Sequence, residues 1–254
     1  MTGSPNRPVL DSTALDRLPT DPGTSGYVEK LREESPRRWR VFFQFSEGGP
    51  LSLWLNPAMR SSLRFLIGAR WSQNWSTAIV LEERTGEQTA LLRYRCAPAE
   101  FAGMVVRLGE LFNWAFIMPE VNNAEFREGL VGNYPLDRIY SGVLGTGSGL
   151  PPAVGFEMMD STRPRLITAL RDAVRDGAIR LRGSLMIEQC RAFVIKPDGT
   201  VGGADGSDED CVWVAALAAF GLEVAPKPEP YVRRLKGAFV DPRASRGKGP
   251  GSWR

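Results

Sequence analysis

The sequence predicts an α/β fold, a mixed central sheet flanked by helices, and three observations carry that prediction. First, the apolar runs Leu63 to Ile67 and Thr77 to Leu81 are followed, across the turn signal Arg84-Thr85-Gly86-Glu87, by Thr89 to Tyr94. These read as three antiparallel strands, the last two joined as a hairpin. Second, Pro98 stands where a first helical turn tolerates proline, and Phe101, Val105, Leu108, Leu111 and Phe112 recur at helical spacing through Trp114. Third, the apolar run Ala115 to Met118 ends at Pro119-Glu120 and is short enough to be a buried parallel strand, with a carboxylate at its C-terminal end.

The remaining elements are read outward from that core. Residues 1–25 are rich in Pro, Ser, Thr, Gly and Asp, which predicts a disordered lead-in. Residues 26–62 read as a linker-like segment, with a helix from Tyr27 to Phe45. After Glu120 the expected order is a helix from Asn123 to Val131, a strand from Leu136 to Tyr140 and a Gly-rich loop from Gly142 to Gly155. An amphipathic helix follows on Leu166, Ile167, Leu170 and Val174, preceded by the capping-type residues Asp160, Ser161 and Thr162. Ala178 to Arg182 reads as a short edge strand and Ser184 to Val194 as a helix. The closing helix opens with Ser207-Asp208-Glu209-Asp210, whose acidic residues suit the positive end of a helix dipole, and runs through Phe220. Three antiparallel strands, helix, parallel strand, helix, strand and helix is the order of an RNase H-like fold, here expected over residues 63–225. Residues 226–254 read as a basic, Pro/Gly-broken, flexible tail.

Composition narrows the chemistry. The 254 residues carry 32 Lys and Arg against 29 Asp and Glu, a formal charge of +3, and no histidine. Without histidine, zinc sites of the usual kind and Ser-His or Cys-His nucleophilic pairs are excluded, so hydrolysis would rest on carboxylates and oxygen-loving metals. Three separated cysteines with no CxxC pair and no leader-like N-terminus favour a reducing cytosol. No apolar run approaches the roughly 20 residues of a membrane span. No GxxxxGK[ST] phosphate loop occurs, so ATP hydrolysis by the P-loop route is not expected of this sequence. The cations gather after Pro226, where eight Lys and Arg face only Glu229 and Asp241, a solvated arm or a nucleic-acid contact.

Two-metal phosphodiester hydrolysis needs carboxylates that hold two ions roughly 3.5 to 4 Å apart. Glu120 at a strand end and Asp208-Glu209-Asp210 at a helix start fit those places; alternatively, Glu120 is a solvated strand-end residue and the triplet a helix cap.

Several segments in order resemble the large terminase family, in its C-terminal nuclease domain. Gly26 to Leu31 with Pro36 to Phe43 is similar to the family's segment joining motor and nuclease. Phe65-Leu66-Ile67-Gly68, Thr77-Ala78-Ile79-Val80 and Thr85-Gly86-Glu87 resemble its first nuclease hairpin. Pro119-Glu120-Val121-Asn122-Asn123 resembles its Glu-x-Asn-Asn motif, Thr162-Arg163-Pro164 its Thr-Lys/Arg helix start, and Ser207 to Asp210 with Ala215 to Ala218 its closing acidic pair and Ala/Leu-rich helix. The resemblance implies an RNase H-like nuclease in which Glu120, Asp210 and Glu209 are catalytic. Glu120, Asp210 and Asp208 would hold Mg2+ or Mn2+, and Asn122, Asn123, Arg70 and Arg163 would orient DNA or ligand. It implies double-stranded DNA as substrate and a separate packaging ATPase, small terminase and portal as partners. The location it implies is the cytoplasm of a bacterial host, phage or prophage encoded, with no membrane.

Three positions depart from the family pattern. The first strand should end in a metal-bridging aspartate within a pattern like Ile-Gly-x-Asp, yet Ile67-Gly68-Ala69 is followed by Arg70. A permanently charged guanidinium repels Mg2+ rather than ligating it. Glu125 replaces a usual glycine, and the acidic pair reads Glu209-Asp210 rather than two aspartates. Two readings follow: a metal-dependent endonuclease, or a catalytically impaired DNA-binding or portal- and motor-docking module of the same fold, with Arg70 contacting phosphate. Another RNase H-like enzyme, such as a resolvase or transposase, fits the linker-like segment and closing helix less well.

Overall fold

The computed structural model of the chain describes residues 6–32, 39–55, 62–142 and 153–227. In chain order its elements begin with strand β1 (Arg7–Pro8), helix α1 (Ser12–Asp16) and strands β2 (Thr24–Arg32), β3 (Trp39–Phe45) and β4 (Leu51–Leu53). Strands β5 (Phe65–Arg70), β6 (Ser76–Glu82) and β7 (Gln88–Tyr94) precede helix α2 (Pro98–Leu111), strand β8 (Phe116–Pro119) and helix α3 (Ala124–Asn133). The chain continues through β9 (Ser141–Gly142), β10 (Ala153–Val154), α4 (Arg163–Arg175), α5 (Ser184–Ala192), β11 (Phe193–Ile195), β12 (Val201–Gly203) and α6 (Asp210–Val224).

Seven strands form one mixed sheet in the order β3-β2-β4-β7-β6-β5-β8, antiparallel throughout except for the parallel pair β5 and β8. Period-two alternation divides the side chains between two cores. Ile79 and Leu81 of β6 join the face covered by α4, α5 and α6, while Ala78 and Val80 join the face covered by α2 and α3. Both faces of the central strands are buried, which is why these strands read as continuous apolar runs.

The predicted α/β class, the β6–β7 hairpin, α2 and the parallel β8 all stand in the structure. Elsewhere the structure corrects the reading. Tyr27 to Phe45 is no helix: β2 and β3 pair in antiparallel register from Gly26↔Phe45 to Arg32↔Trp39. Tyr27 is exposed, whereas Val28, Val41 and Phe43 pack on the α2 core, a two-residue step that suits β-branched and aromatic side chains. Within the segment expected to be a linker, β2, β3 and β4 therefore extend the sheet.

The expected disordered lead-in is also corrected over residues 6–25, because β1 pairs with β11 and Leu10 and Leu15 are buried. Pro98's helix stops at Leu111 rather than Trp114, with Asn113 (φ 56) and Trp114 (φ 58) in left-handed conformations. Leu136–Arg138 is a 3-10 turn, and only Ile139 bridges, in parallel, to Ile117. The predicted edge strand at Ala178 to Arg182 reduces to one bridge, Glu87↔Arg180. The helix from Ser184 ends at Ala192, where β11 begins, and the closing helix starts at Asp210 rather than Ser207. Of the Gly-rich loop, residues 143–152 lie outside the described residues, as does the basic tail from residue 228. Among the described residues no helix is long and apolar enough to cross a membrane.

Candidate functional site

The candidate site forms where the parallel pair ends. Ala69↔Pro119 is its last registered position, and the Glu120 N–H donates to the Ala69 carbonyl at 2.8 Å, so Arg70 and Glu120 leave neighbouring strands side by side. The carboxyl ends of parallel strands are the usual place for ligands in open α/β sheets. Helix α6 delivers Asp210 to the same place, because Gly68 of β5 lets the helix backbone approach. A Cβ on Gly68 would stand 2.2 Å from the Val214 carbonyl oxygen.

Three side chains meet there. Arg70 Nε lies 2.6 Å from Glu120 Oε2, and Arg70 Nη1 lies 3.5 Å from Asp210 Oδ1. The shorter contact is a charge contact without hydrogen-bond geometry, since neither Nε nor Oε2 has a well-directed partner. Glu120 and Asp210 are buried, with Glu120 only 6% exposed. Burial pushes the Glu120 carboxyl above its usual range, and the Arg70 charge pulls it back. Asp210 is raised by burial in the same way, again opposed by Arg70.

Asn122 braces Glu120. Its Nδ2 donates to Glu120 Oε1 at 2.9 Å and to the Met158 carbonyl at 3.2 Å, while its Oδ1 accepts from the Met158 N–H at 3.2 Å. Asn123 has a different role: its Oδ1 accepts from the Phe126 N–H at 2.9 Å and caps α3. A cavity of about 240 Å³ opens beside Arg70, Glu120, Asn122 and Asn123.

The other predicted residues are drawn elsewhere. Asp208 pairs with Arg93 at 2.6 Å. Glu209 accepts from the Gly203 N–H at 2.8 Å and from Trp213 Nε1 at 2.9 Å, tying α6 to β12. Arg163 pairs with the exposed Asp160 at 3.1 Å.

The donor set does not fit a pair of divalent ions. Among the described residues Glu120 and Asp210 are the carboxylates that converge on Arg70, so they already share a permanent cation, and no group of three or more His, Cys, Asp or Glu there could hold a metal. A guanidinium within ion-pair distance of both carboxylates offsets one of their two charges and repels an incoming Mg2+. What the arrangement offers instead is an Arg70 with N–H donors to spare, beside a cavity that could take a phosphate oxygen.

Sequence reasoning missed Arg93. Its signal was the strand alternation, which puts Arg93 on the same face of β7 as the buried Leu91, and the register Arg70↔Thr77↔Arg93 carries that row across to the site.

Comparison with known proteins agrees with this architecture. The chain is similar to the crystal structure of the large terminase nuclease from thermophilic phage G20c, with a TM-score of 0.57 and 17% identity over 84% of this chain and 97% of that chain. The same nuclease with bound magnesium gives a TM-score of 0.60 with 17% identity, covering 84% of this chain and 97% of that chain. The Thermus phage P74-26 large terminase nuclease domain gives 0.56 and 17%, over 82% of this chain and 93% of that chain. No family model matches the sequence, and no curated protein matches it. At this identity the likeness establishes the fold, that of a terminase nuclease with its RNase H-like mixed sheet.

Proposed function

We propose that this chain is a terminase-nuclease-type module that engages double-stranded DNA in phage genome packaging without two-metal cleavage. One observation carries the reading: Arg70 places its guanidinium against Glu120 and Asp210, where the family's pattern would have an aspartate. Of the two alternatives raised by the sequence, that contact favours the non-cleaving one. Engagement of DNA is supported by the fold likeness and by Arg70 and Arg93, registered across the sheet, with Arg95 just past β7 on the Trp75 ring.

In this reading Arg70 supplies the positive charge of the site. Glu120, steadied by Asn122, and Asp210 fix the guanidinium in place, and a DNA phosphate at the cavity would accept from its free N–H groups. The packaging ATPase, small terminase and portal are the partners such a module would serve.

Arg70→Asp tests the proposal with two readouts. The native protein should bind duplex DNA with a steep salt dependence, since phosphate contacts release counterions, and should leave plasmid DNA intact in Mg2+ or Mn2+. The variant gathers three carboxylates without a counter-charge, so it should melt at a lower temperature in chelator and recover when Mn2+ is added. Mn2+-dependent nicking should appear in the same variant. Robust nicking by the native protein that is abolished by Glu120→Ala would overturn the reading, as would absence of duplex binding.

A further inference from the structure

We infer that the groove between Trp54 and the Arg93–Trp75–Arg95 stack holds an unpaired stretch of nucleic acid, its phosphates on the arginines and a base in the adjoining cavity. The inference rests on reading the chain as a nucleic-acid-binding module and goes beyond it by naming a single strand and its seat.

The stack is built from Trp75, just before β6, Arg93 of β7 and Arg95, just past that strand. The Arg93 guanidinium carbon lies 3.8 Å from the centroid of the Trp75 ring and that of Arg95 lies 4.1 Å from it. Side chains two residues apart in extended backbone lie on the same side of it, which suits two guanidinium groups sharing one ring. The indole thus holds two cations within about 8 Å of each other at the sheet edge, a spacing suited to successive phosphates of one strand. Arg93 is further fixed by Asp208. Arg95 is exposed and has no carboxylate partner among the described residues, so its charge is available to an outside anion.

Beside the stack lies a cavity of about 450 Å³ whose lining includes Trp54, Trp75, Arg93, Tyr94 and Leu185. Trp54 is preset as one wall: its Nε1 donates to the Asp21 carbonyl at 3.1 Å, and Gly183 lies under the ring, where a Cβ would stand 3.2 Å from it. Arginine flanking aromatic walls is the combination by which proteins take up single strands, because every base has a face to stack and every nucleotide a phosphate to pair. A rigid duplex keeps its bases stacked on one another and offers none to such a pocket. The register Arg70↔Thr77↔Arg93 sets the stack two strands, roughly 10 Å, from Arg70, so a strand seated here leads toward the Glu120 cavity.

Fluorescence anisotropy with a labelled oligothymidylate and a labelled duplex, on the full chain, tests the seat. Trp54→Ala should weaken oligothymidylate binding about tenfold and leave duplex binding nearly unchanged, as expected for the loss of one stacked base. Arg95→Gln, at an exposed position that does not endanger folding, should weaken it too and flatten the slope of log affinity against log salt by about 0.7. No oligothymidylate binding by the native protein, or binding indifferent to both variants, overturns the seat. So does an equal loss for duplex and oligothymidylate on Arg95→Gln with Trp54→Ala silent, which would make the arginines a general phosphate contact. Oligothymidylate binding without duplex binding by the native protein would instead count against the proposed function.

Discussion

Arg70 is the residue on which the reading of the site turns. A buried carboxylate tolerates its charge only beside a cation, and Glu120 and Asp210 share this one. Arg70→Ala should therefore destabilise the protein by about 3 kcal/mol at neutral pH, the scale of breaking a buried pair from one side. Its pH dependence follows from the direction of the shifts. Burial already raises both carboxyls above their values in the unfolded chain, so holding them ionised costs the folded state more than the unfolded one, and losing Arg70 raises them further. The deficit should be largest at neutral pH and shrink as pH falls through the folded-state values, because a protonated carboxyl needs no counter-charge. Urea denaturation of native and variant protein across that range measures it, and a deficit independent of pH would exclude the charge argument. Apolar runs placed Glu120 at a strand end and Asp210 at a helix start, the family resemblance singled out Arg70, and the structure brings these three side chains together. The sequence did not reveal that Asp208 and Glu209 point away, because the direction of each side chain around a helix start depends on partners such as Arg93 and Gly203 that lie far off in the chain.

Helix α6 and strand β5 form the junction that sets the site's geometry. From Asp210 to Gly221 every residue of α6 is buried, so the helix has no solvent stripe and must be matched on all sides. It packs backbone to backbone on the sheet at Gly68, where a Cβ would meet the Val214 carbonyl oxygen at 2.2 Å and the Ala218 nitrogen at 2.9 Å. Gly68→Val should push the helix away, costing about 1–3 kcal/mol in the manner of an overpacked core, and should carry Asp210 away from Arg70. Thermal melting checks the first effect; an unchanged midpoint would mean that the helix does not sit on this strand. Long apolar elements such as α6 and β6 were legible because their burial is two-sided. The β2–β3 pair was not, since Tyr27 and Leu31 also lie four residues apart and a short window cannot separate a helical repeat from a half-buried strand.

At the scale of the whole molecule, the N-terminal segment closes the α6 face of the sheet. β1 adds an edge to β11 and β12, Leu10 and Leu15 enter the core shared by α4, α5 and α6, and Arg191 reaches Asp16 at 2.8 Å. The sequence concealed this because its Pro, Ser and Asp content outweighs its few large apolar residues, Val9, Leu10, Leu15 and Leu18. Composition measures how much apolar surface a segment carries, not whether a pocket awaits it. Each leucine contributes about 1.5–3 kcal/mol on full burial, and the ordering of so short a segment offsets part of that. Against a domain stability of about 5–15 kcal/mol the net contribution is a sizeable share. Removing residues 1–18 should therefore lower the urea midpoint clearly while leaving the cooperative transition intact, because the seven-stranded sheet does not include β1. Replacing Leu10 and Leu15 together by alanine in the full chain should reproduce most of the loss, which separates core burial from chain length. A midpoint unmoved by both changes would show that this segment lies on the surface of the fold and not within its core.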